Sequence, residues 1–311
     1  MIRLGTRGSA LALAQARWVA ERLPGEVELV PITTSGDESP RLKGSDPLSA
    51  SDSRGLTPDK SRFVKEIEEA LIAGTVDLAV HSAKDVPSEL PDGLAIVGVP
   101  ERADARDALC GAGSLDELDE GAAVGTASLR RRAALLARRP DLDVRELRGN
   151  VDTRLRRLEE GHFDAIVLAC AGLERLGRSD AGTPIDAEHL VPAPGQGCLA
   201  LEARAGHEGV AEAATSLTDR DALTCLTAER ALVQALDASC HTPIGAHAVT
   251  TNEGLRLRAF VGLPDGSQWI RDELEGVSAE PGALGAAVGE RLLGAGAAEL
   301  LREAERVAFA S

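Results

Sequence analysis

Lysine is nearly missing from this chain of 311 residues: Lys43, Lys60, Lys65 and Lys84 are the only four, and all other basic residues are arginine. Positive charge is short overall, the formal net charge being -16. That balance argues against nucleic acid as a partner, because binding a polyphosphate takes a cationic footprint that displaces counterions. No uninterrupted apolar run approaches the roughly 18 to 20 residues that cross a bilayer, since even the Ala-rich stretches carry Arg, Glu or Gly. No membrane association is expected. Met1 to Arg7 reads as a strand with interspersed charge rather than an apolar leader, which makes the expected location cytoplasmic. Paired cysteine motifs are also lacking. Cys110, Cys170, Cys198, Cys225 and Cys240 are odd in number and scattered, as reduced thiols are. Cys225, Cys240, His241 and His247 have neither CxxC nor HxxxH spacing, so no metal is expected. A carboxylate-rich, lysine-poor surface suits high salt, where the Debye length falls to about 3 Å at 1 M. Unfolding compared in dilute buffer and molar salt tests that reading, and equal stability in both would remove it.

What is present is a globular chain long enough for two or three domains of about 100 residues each. Strand-like runs alternate with helical patterns as far as about residue 200, the signature of βαβ units and a largely parallel sheet. Arg3 to Thr6, Glu26 to Thr33 and Val76 to Val80 read as strands, and Ser9 caps a helix that runs to Ala20. The polar stretch 36–59 is far longer than an ordinary connection and reads as a lid or insert. A second α/β block runs from about 104 to 191, after which Val191 to Gly197 interrupts the pattern as a hinge or active-site loop would. Beyond about 220 the pattern is one helix, three strands joined by Asn/Gly and Pro/Gly turns, and a final helix: a small α+β domain with an antiparallel sheet.

Three segments carry candidate chemistry. Arg130 to Arg157 holds ten arginines against four acids. Within it, Arg138, Arg139, Arg156 and Arg157 read as solvated helix faces. Thr126 to Arg131 and Leu147 to Arg154 each follow a strand and open a helix, where free N–H groups and the macrodipole favour anions. Two such turns at one sheet edge would line a crevice with guanidinium forks for carboxylates. The second segment, Val80 to Pro87, follows a strand and offers Lys84 as a cation and Asp85 as an acid/base carboxylate, against the plainer reading of a salt-bridged turn. His81 reads as packed or capping. The third, Ala238 to Gly245, places Cys240 on a loop, either as an inert thiol or as a nucleophile. Together they point to a small polycarboxylate ligand. A two-lobed receptor that clamps such a ligand without chemistry, and a cysteine-dependent acyl or thiol-transfer enzyme, stay open at this point.

The chain resembles the hydroxymethylbilane synthase, or porphobilinogen deaminase, family. The residues that carry the likeness are Thr6 to Leu13, Val80 to Pro87, Gly125 to Arg131, Leu147 to Leu155, Ala171 to Gly177, Pro194 to Gly197 and Cys240 to Gly245, in family order across nearly the whole chain. The resemblance implies an α/β fold of two periplasmic-binding-protein-like domains plus a small α+β C-terminal domain with an antiparallel sheet. Domain 1 would comprise 1–98 and 198–217, domain 2 would comprise 103–192, and domain 3 would comprise 220–311. It implies a monomeric transferase that condenses four porphobilinogen molecules with loss of ammonia on a dipyrromethane held by Cys240, then releases the linear tetrapyrrole by hydrolysis. Asp85 would be catalytic, stabilising the azafulvene cation and moving protons. Ser128, Arg130, Arg131, Lys84 and Asp85 would hold the cofactor, and Arg7, Ser9, Arg148, Arg154, Arg175 and Lys60 the substrate. The sequence departs from the family at Thr57 to Ser61, where a glycine-rich stretch usually surrounds the lysine, and at Ala238-Ser239, which replace a glycine pair.

Overall fold

The computed structural model describes residues 1–33, 62–238 and 242–310. The 36–59 insert therefore lies outside the described residues. In chain order the first elements are β1 (Ile2–Arg7), α1 (Ala10–Ala20), β2 (Val27–Ile32), α2 (Arg62–Ile72), β3 (Leu78–Ser82), a 3-10 turn over Ala83–Asp85, and β4 (Leu94–Gly98). Then follow β5 (Asp107–Cys110), β6 (Ala123–Gly125), α3 (Leu129–Arg138), β7 (Asp143–Arg145), α4 (Val151–Glu159), β8 (Ala165–Ala169), α5 (Cys170–Arg175) and β9 (Thr183–Pro184). After these come β10 (Leu199–Arg204), α6 (Glu208–Thr215), α7 (Arg220–Ala235), β11 (Ile244–Thr251), β12 (Gly254–Gly262), β13 (Trp269–Gly276), α8 (Pro281–Gly294) and α9 (Ala297–Ala310).

The strands form three sheets, ordered β2-β1-β3-β10-β4, β7-β6-β8-β5-β9 and β11-β12-β13. The first two are mixed rather than largely parallel. β10 enters the first sheet antiparallel to both β3 and β4, and β5 runs antiparallel to β8 in the second. β10 arrives from residues beyond the second sheet and is fully buried along five of its six residues, which an interior strand covered on both faces requires. The third sheet is an antiparallel meander packed under α7 and α8. The single closing helix expected from the sequence is two, because the chain turns at Gly296 with a positive φ of 98°, a conformation that ends a helix.

The C-terminal sheet is joined to the rest by apolar packing. Phe260 of β12 is fully buried among Leu135, Val144, Leu190 and Val191 of the second sheet's core, worth roughly 1.5–3 kcal/mol by area removed from water. Ala222 and Leu226 of α7 pack with Ala83, Val86, Val99 and Ala200 of the first. At the junction, Glu229 of α7 is fully buried and accepts a forked pair of bonds from Arg102 (2.7 and 3.2 Å), plus the N–H groups of Gly195 (2.7 Å) and Ala248 (2.8 Å). One carboxylate thus ties the linker into the second sheet, the linker back to the first, and the third sheet. No helix among the described residues is long and apolar enough to cross a membrane.

Candidate active site

In both α/β sheets the parallel strands deliver polar residues at their carboxyl ends, where ligands of such sheets bind. β1 ends at Arg7, and Ser9 caps α1 by accepting the Ala12 N–H at 3.3 Å. β3 ends in the turn that carries Lys84 and Asp85. On the second sheet β6 leads to Ser128, which caps α3 by accepting the Arg131 N–H at 3.4 Å. The neighbouring β7 leads past Arg148 to Asn150, which caps α4 just before Arg154, and β8 leads into α5, which ends at Arg175. Small polar caps are what such strand-to-helix corners select, because they satisfy the free N–H groups of the first turn.

The two sheet edges meet at the loop 192–198. Gly195 and Gly197 have φ of 72° and 89°; a Cβ on the first would lie 2.9 Å from the Ala83 carbonyl carbon, and on the second 2.4 Å from the Ala103 oxygen. That close approach carries Gln196 into the interior, where it is 1% exposed. Its Oε1 accepts from Lys84 Nζ at 3.3 Å, and its Nε2 donates to Asp107 Oδ1 at 2.9 Å and to the Ala105 carbonyl at 2.7 Å. Asp107, fully buried at the head of β5, accepts from Arg130 Nη1 (2.8 Å) and from Arg131 Nε and Nη2 (3.0 and 2.7 Å). A continuous polar chain therefore runs from the Lys84–Asp85 turn through Gln196 and Asp107 to the arginines of α3. Arg175 joins it by donating to the Gly197 carbonyl at 2.7 Å.

Burial alone would raise the Asp107 carboxyl. The charges of Arg130 and Arg131 and their hydrogen bonds outweigh it and hold the group well below the usual carboxylate range. Arg130 and Arg131 are 4% and 6% exposed and also donate to the Val191 and Val167 carbonyls at 2.7 and 2.8 Å. Arg131 commits three donors in this way and Arg130 two, both from Nη1, while the buried Arg130 Nε has no hydrogen-bond partner among the described residues. Arg154 and Arg175 differ. Each is half-buried and, among the described residues, neither has a carboxylate partner: Arg154 donates to the Gly149 carbonyl at 2.7 Å, Arg175 to Gly197. Burial, then the charge of Arg131, pushes Arg154 down to about 10, and burial pushes Arg175 down as well. Cations held in that state gain from an incoming anion.

Arg148 is placed otherwise than a cleft-lining fork would be. It is exposed and pairs with its neighbour Glu146 at 2.6 Å. Arg138 and Arg156 pair with Asp116 and Glu160 on outer helix faces, whereas Arg139 departs from the expected solvated face: it lies just past α3, part-buried, and donates to Asp141 and to the Leu115 and Leu118 carbonyls (2.6 and 2.9 Å). Lys60 and Cys240 lie outside the described residues. The chain on either side of Cys240 is nevertheless anchored near the site. Arg230 and Gln234 of α7 donate to the Pro87 and Ser88 carbonyls just beyond Asp85 (2.7 to 3.0 Å), and Ala246 of β11 donates to the Pro192 carbonyl at 2.9 Å. Burial pushes the thiols of Cys110 and Cys225 up to about 11 and those of Cys170 and Cys198 up to about 12, which leaves all four protonated and inert near neutral pH.

Residues 2–212 match the family model "Porphobilinogen deaminase, dipyromethane cofactor binding domain", and residues 223–294 match "Porphobilinogen deaminase, C-terminal domain". The chain belongs to the porphobilinogen deaminase family. The porphobilinogen deaminase of Deinococcus radiodurans is 46% identical over 309 residues, covering 96% of this chain and 97% of the relative. That of Trichlorobacter lovleyi is 43% identical over 309 residues, covering 97% and 96%. Among solved structures, an ABC-transporter periplasmic substrate-binding protein from Coxiella burnetii covers 70% of this chain and 91% of its own, at 14% identity and a TM-score of 0.41. As a family member the chain is a transferase that makes hydroxymethylbilane from porphobilinogen and works with a dipyrromethane cofactor.

The residues present suit that cofactor, whose carboxylates need cations lacking a carboxylate of their own. Among the described residues, Arg154 and Arg175 are two half-buried cations of that kind at the sheet edges. Replacing Arg154 with glutamine should raise KM for porphobilinogen about tenfold to a hundredfold, the worth of one lost charge-assisted contact. Steady-state kinetics checks this, and an unchanged KM would place Arg154 outside the substrate path. Asp107, Gln196 and Glu229 are the functional neighbours that sequence reasoning missed. The only local signals were an acid heading the apolar run Ala108 to Cys110, and a glutamine between two glycines.

Proposed function

We propose that this chain holds its dipyrromethane through Cys240 and extends it by four porphobilinogen units at one site, with Asp85 as the group that moves protons. The observation that carries the reading is the polar chain Lys84–Gln196–Asp107–Arg130/Arg131, which fixes the Asp85 turn of one sheet against the arginine edge of the other. The bound cofactor supplies the nucleophilic pyrrole on which the product grows. The protein's own part is electrostatic and positional. Arg154 and Arg175, with Lys84, Arg7, Ser9 and Ser128 at the neighbouring strand ends, hold the carboxylates of cofactor and substrate. Arg130 and Arg131 shape the wall and present their remaining donors, Arg148 can exchange Glu146 for a substrate carboxylate, and Lys60 reaches in from the insert. Asp85 accepts a hydrogen bond from pyrrole N–H groups and takes up the proton released at each condensation.

In this reading domain 1 comprises 1–98 and 198–217, domain 2 comprises 103–192 and domain 3 comprises 220–311, acting as a monomer in the cytoplasm without nucleic acid or membrane. Placing the cofactor on domain 3 fits its two anchors, one beside Ser88 and one beside Pro192, because a primer tethered between them stays at the sheet edges while the chain lengthens. Intact-protein mass provides the test. The purified protein should carry a covalent adduct of dipyrromethane mass that vanishes in Cys240→Ser along with turnover. An adduct retained in Cys240→Ser would move the attachment elsewhere, and an active protein with no adduct would sink the primer mechanism.

A further inference from the structure

One group of buried ionisable side chains plays no part in that scheme. His81 and Glu202 stand diagonally across the β3–β10 pair, since His81 faces Ala200 and Glu202 faces Ala79 in the register. His81 Nε2 lies 3.0 Å from Glu202 Oε2, with side chains 4% and 0% exposed. Glu68, 8% exposed, comes down on the pair from α2, which packs on β3, β4 and β10. Four polar atoms here, His81 Nε2, both Glu202 oxygens and Glu68 Oε1, lack an aligned hydrogen-bond partner despite the short His81–Glu202 contact. Leaving such groups unsatisfied is costly, so a reason for keeping them is needed. A proton on Glu68 removes one of the two negative charges that α2 and β10 bring into each other's field here.

We propose that Glu202 and His81 are positioning residues for the β3 turn carrying Lys84 and Asp85, and that a proton on Glu68 completes their contact. The proposal rests on the reading of Asp85 given above. His81 is the second-last residue of β3, and the turn begins two residues later, with the Ala83 N–H bonded to the Cys198 carbonyl beside β10 at 3.0 Å. A slip between β3 and β10 would therefore move Asp85 directly. On the far side of the turn Arg230 grips the Pro87 and Ser88 carbonyls and feels the charge of Glu202. The charged groups facing the contact are thus Glu68 from α2, His81 from β3, Glu202 from β10 and Arg230 from α7. Burial first, and then Glu202, raises the Glu68 carboxyl, while His81 partly offsets them. A raised carboxyl stabilises its folded surroundings at low pH, and that contribution is lost as pH climbs through its folded value. Positioning should therefore weaken as pH rises.

The experiment compares the cofactor-loaded wild type with Glu202→Gln, Glu68→Gln and Asp85→Asn, measuring kcat and KM for porphobilinogen against pH and adduct mass. Glu202→Gln should lose about tenfold or more in kcat, in line with a misplaced catalytic group, with KM within about twofold and the adduct intact. Glu68→Gln stays neutral at every pH, so the fall in kcat with rising pH should move to higher pH. A wild-type kcat in Glu202→Gln overturns the proposal. If Glu202→Gln does not fold, Glu68→Gln decides, and a pH profile of kcat superimposable on the wild type overturns it. Asp85→Asn separates the two ideas: full turnover there sinks the role of Asp85, whatever Glu202→Gln does.

Discussion

Replacing Asp85 with asparagine should cut turnover by about a hundredfold to ten-thousandfold, the range in which a positioned acid/base group acts. Asparagine matches the size of the side chain and keeps one carbonyl oxygen to accept from a pyrrole N–H, so binding should survive. What it loses is the capacity to take a proton and the negative charge that offsets a developing cation. The deficit should therefore fall on kcat, with KM within a few-fold, and the covalent adduct should remain in the mass spectrum. The Lys84 neighbour provides the contrast. Its ammonium bonds Gln196 at 3.3 Å and serves the wall between the two sheets. Lys84→Met should consequently raise KM as well as lower kcat. A product-formation assay with porphobilinogen distinguishes the two signatures, and an Asp85→Asn protein with wild-type kcat would leave the site without its proton carrier.

Much of the architecture was legible because it rests on local periodicity. The alternation of apolar strands with amphipathic helices marks βαβ units wherever it occurs, and Ser9, Ser128 and Asn150 advertise helix starts by their chemistry. The parts that escaped depend on partners distant in sequence. β5 and β10 are short apolar runs that could pair in either direction, and only the sheet decides that both run antiparallel to their neighbours. The same limit applies to the arginines. Arg130 and Arg131 read as open forks because nothing local reveals Asp107, which reaches them from β5 across the second sheet. Arg148 and Arg154 look alike in sequence, yet one sits exposed beside Glu146 and the other is half-buried with no carboxylate partner among the described residues. Burial and a neighbouring acid, rather than residue type, decide how many of an arginine's donors the protein itself occupies.

The same distinction sets the largest expected effect on stability. Asp107→Asn should destabilise the protein by about 3–5 kcal/mol, since it leaves two buried guanidiniums without their counter-ion while filling the same volume. Asp107 is fully buried and receives three arginine donors and one from Gln196, so no water can replace it without opening the wall. Asp104→Asn is the internal control. Its partner Arg106 is about half exposed, and such a pair is worth no more than about 1 kcal/mol. The pH dependence carries a definite sign. Because Asp107 is held below its unfolded value of about 3.9, its contribution is present above that pH and fades only as acid titrates the folded state. The deficit of Asp107→Asn should hence be the same at pH 6 and pH 8, and shrink only in acid, opposite in sign to the weakening with rising pH expected around Glu68. Urea unfolding at several pH values measures it. A deficit below about 1 kcal/mol would mean that Arg130 and Arg131 find other partners, and that the wall beside Asp85 does not depend on this carboxylate.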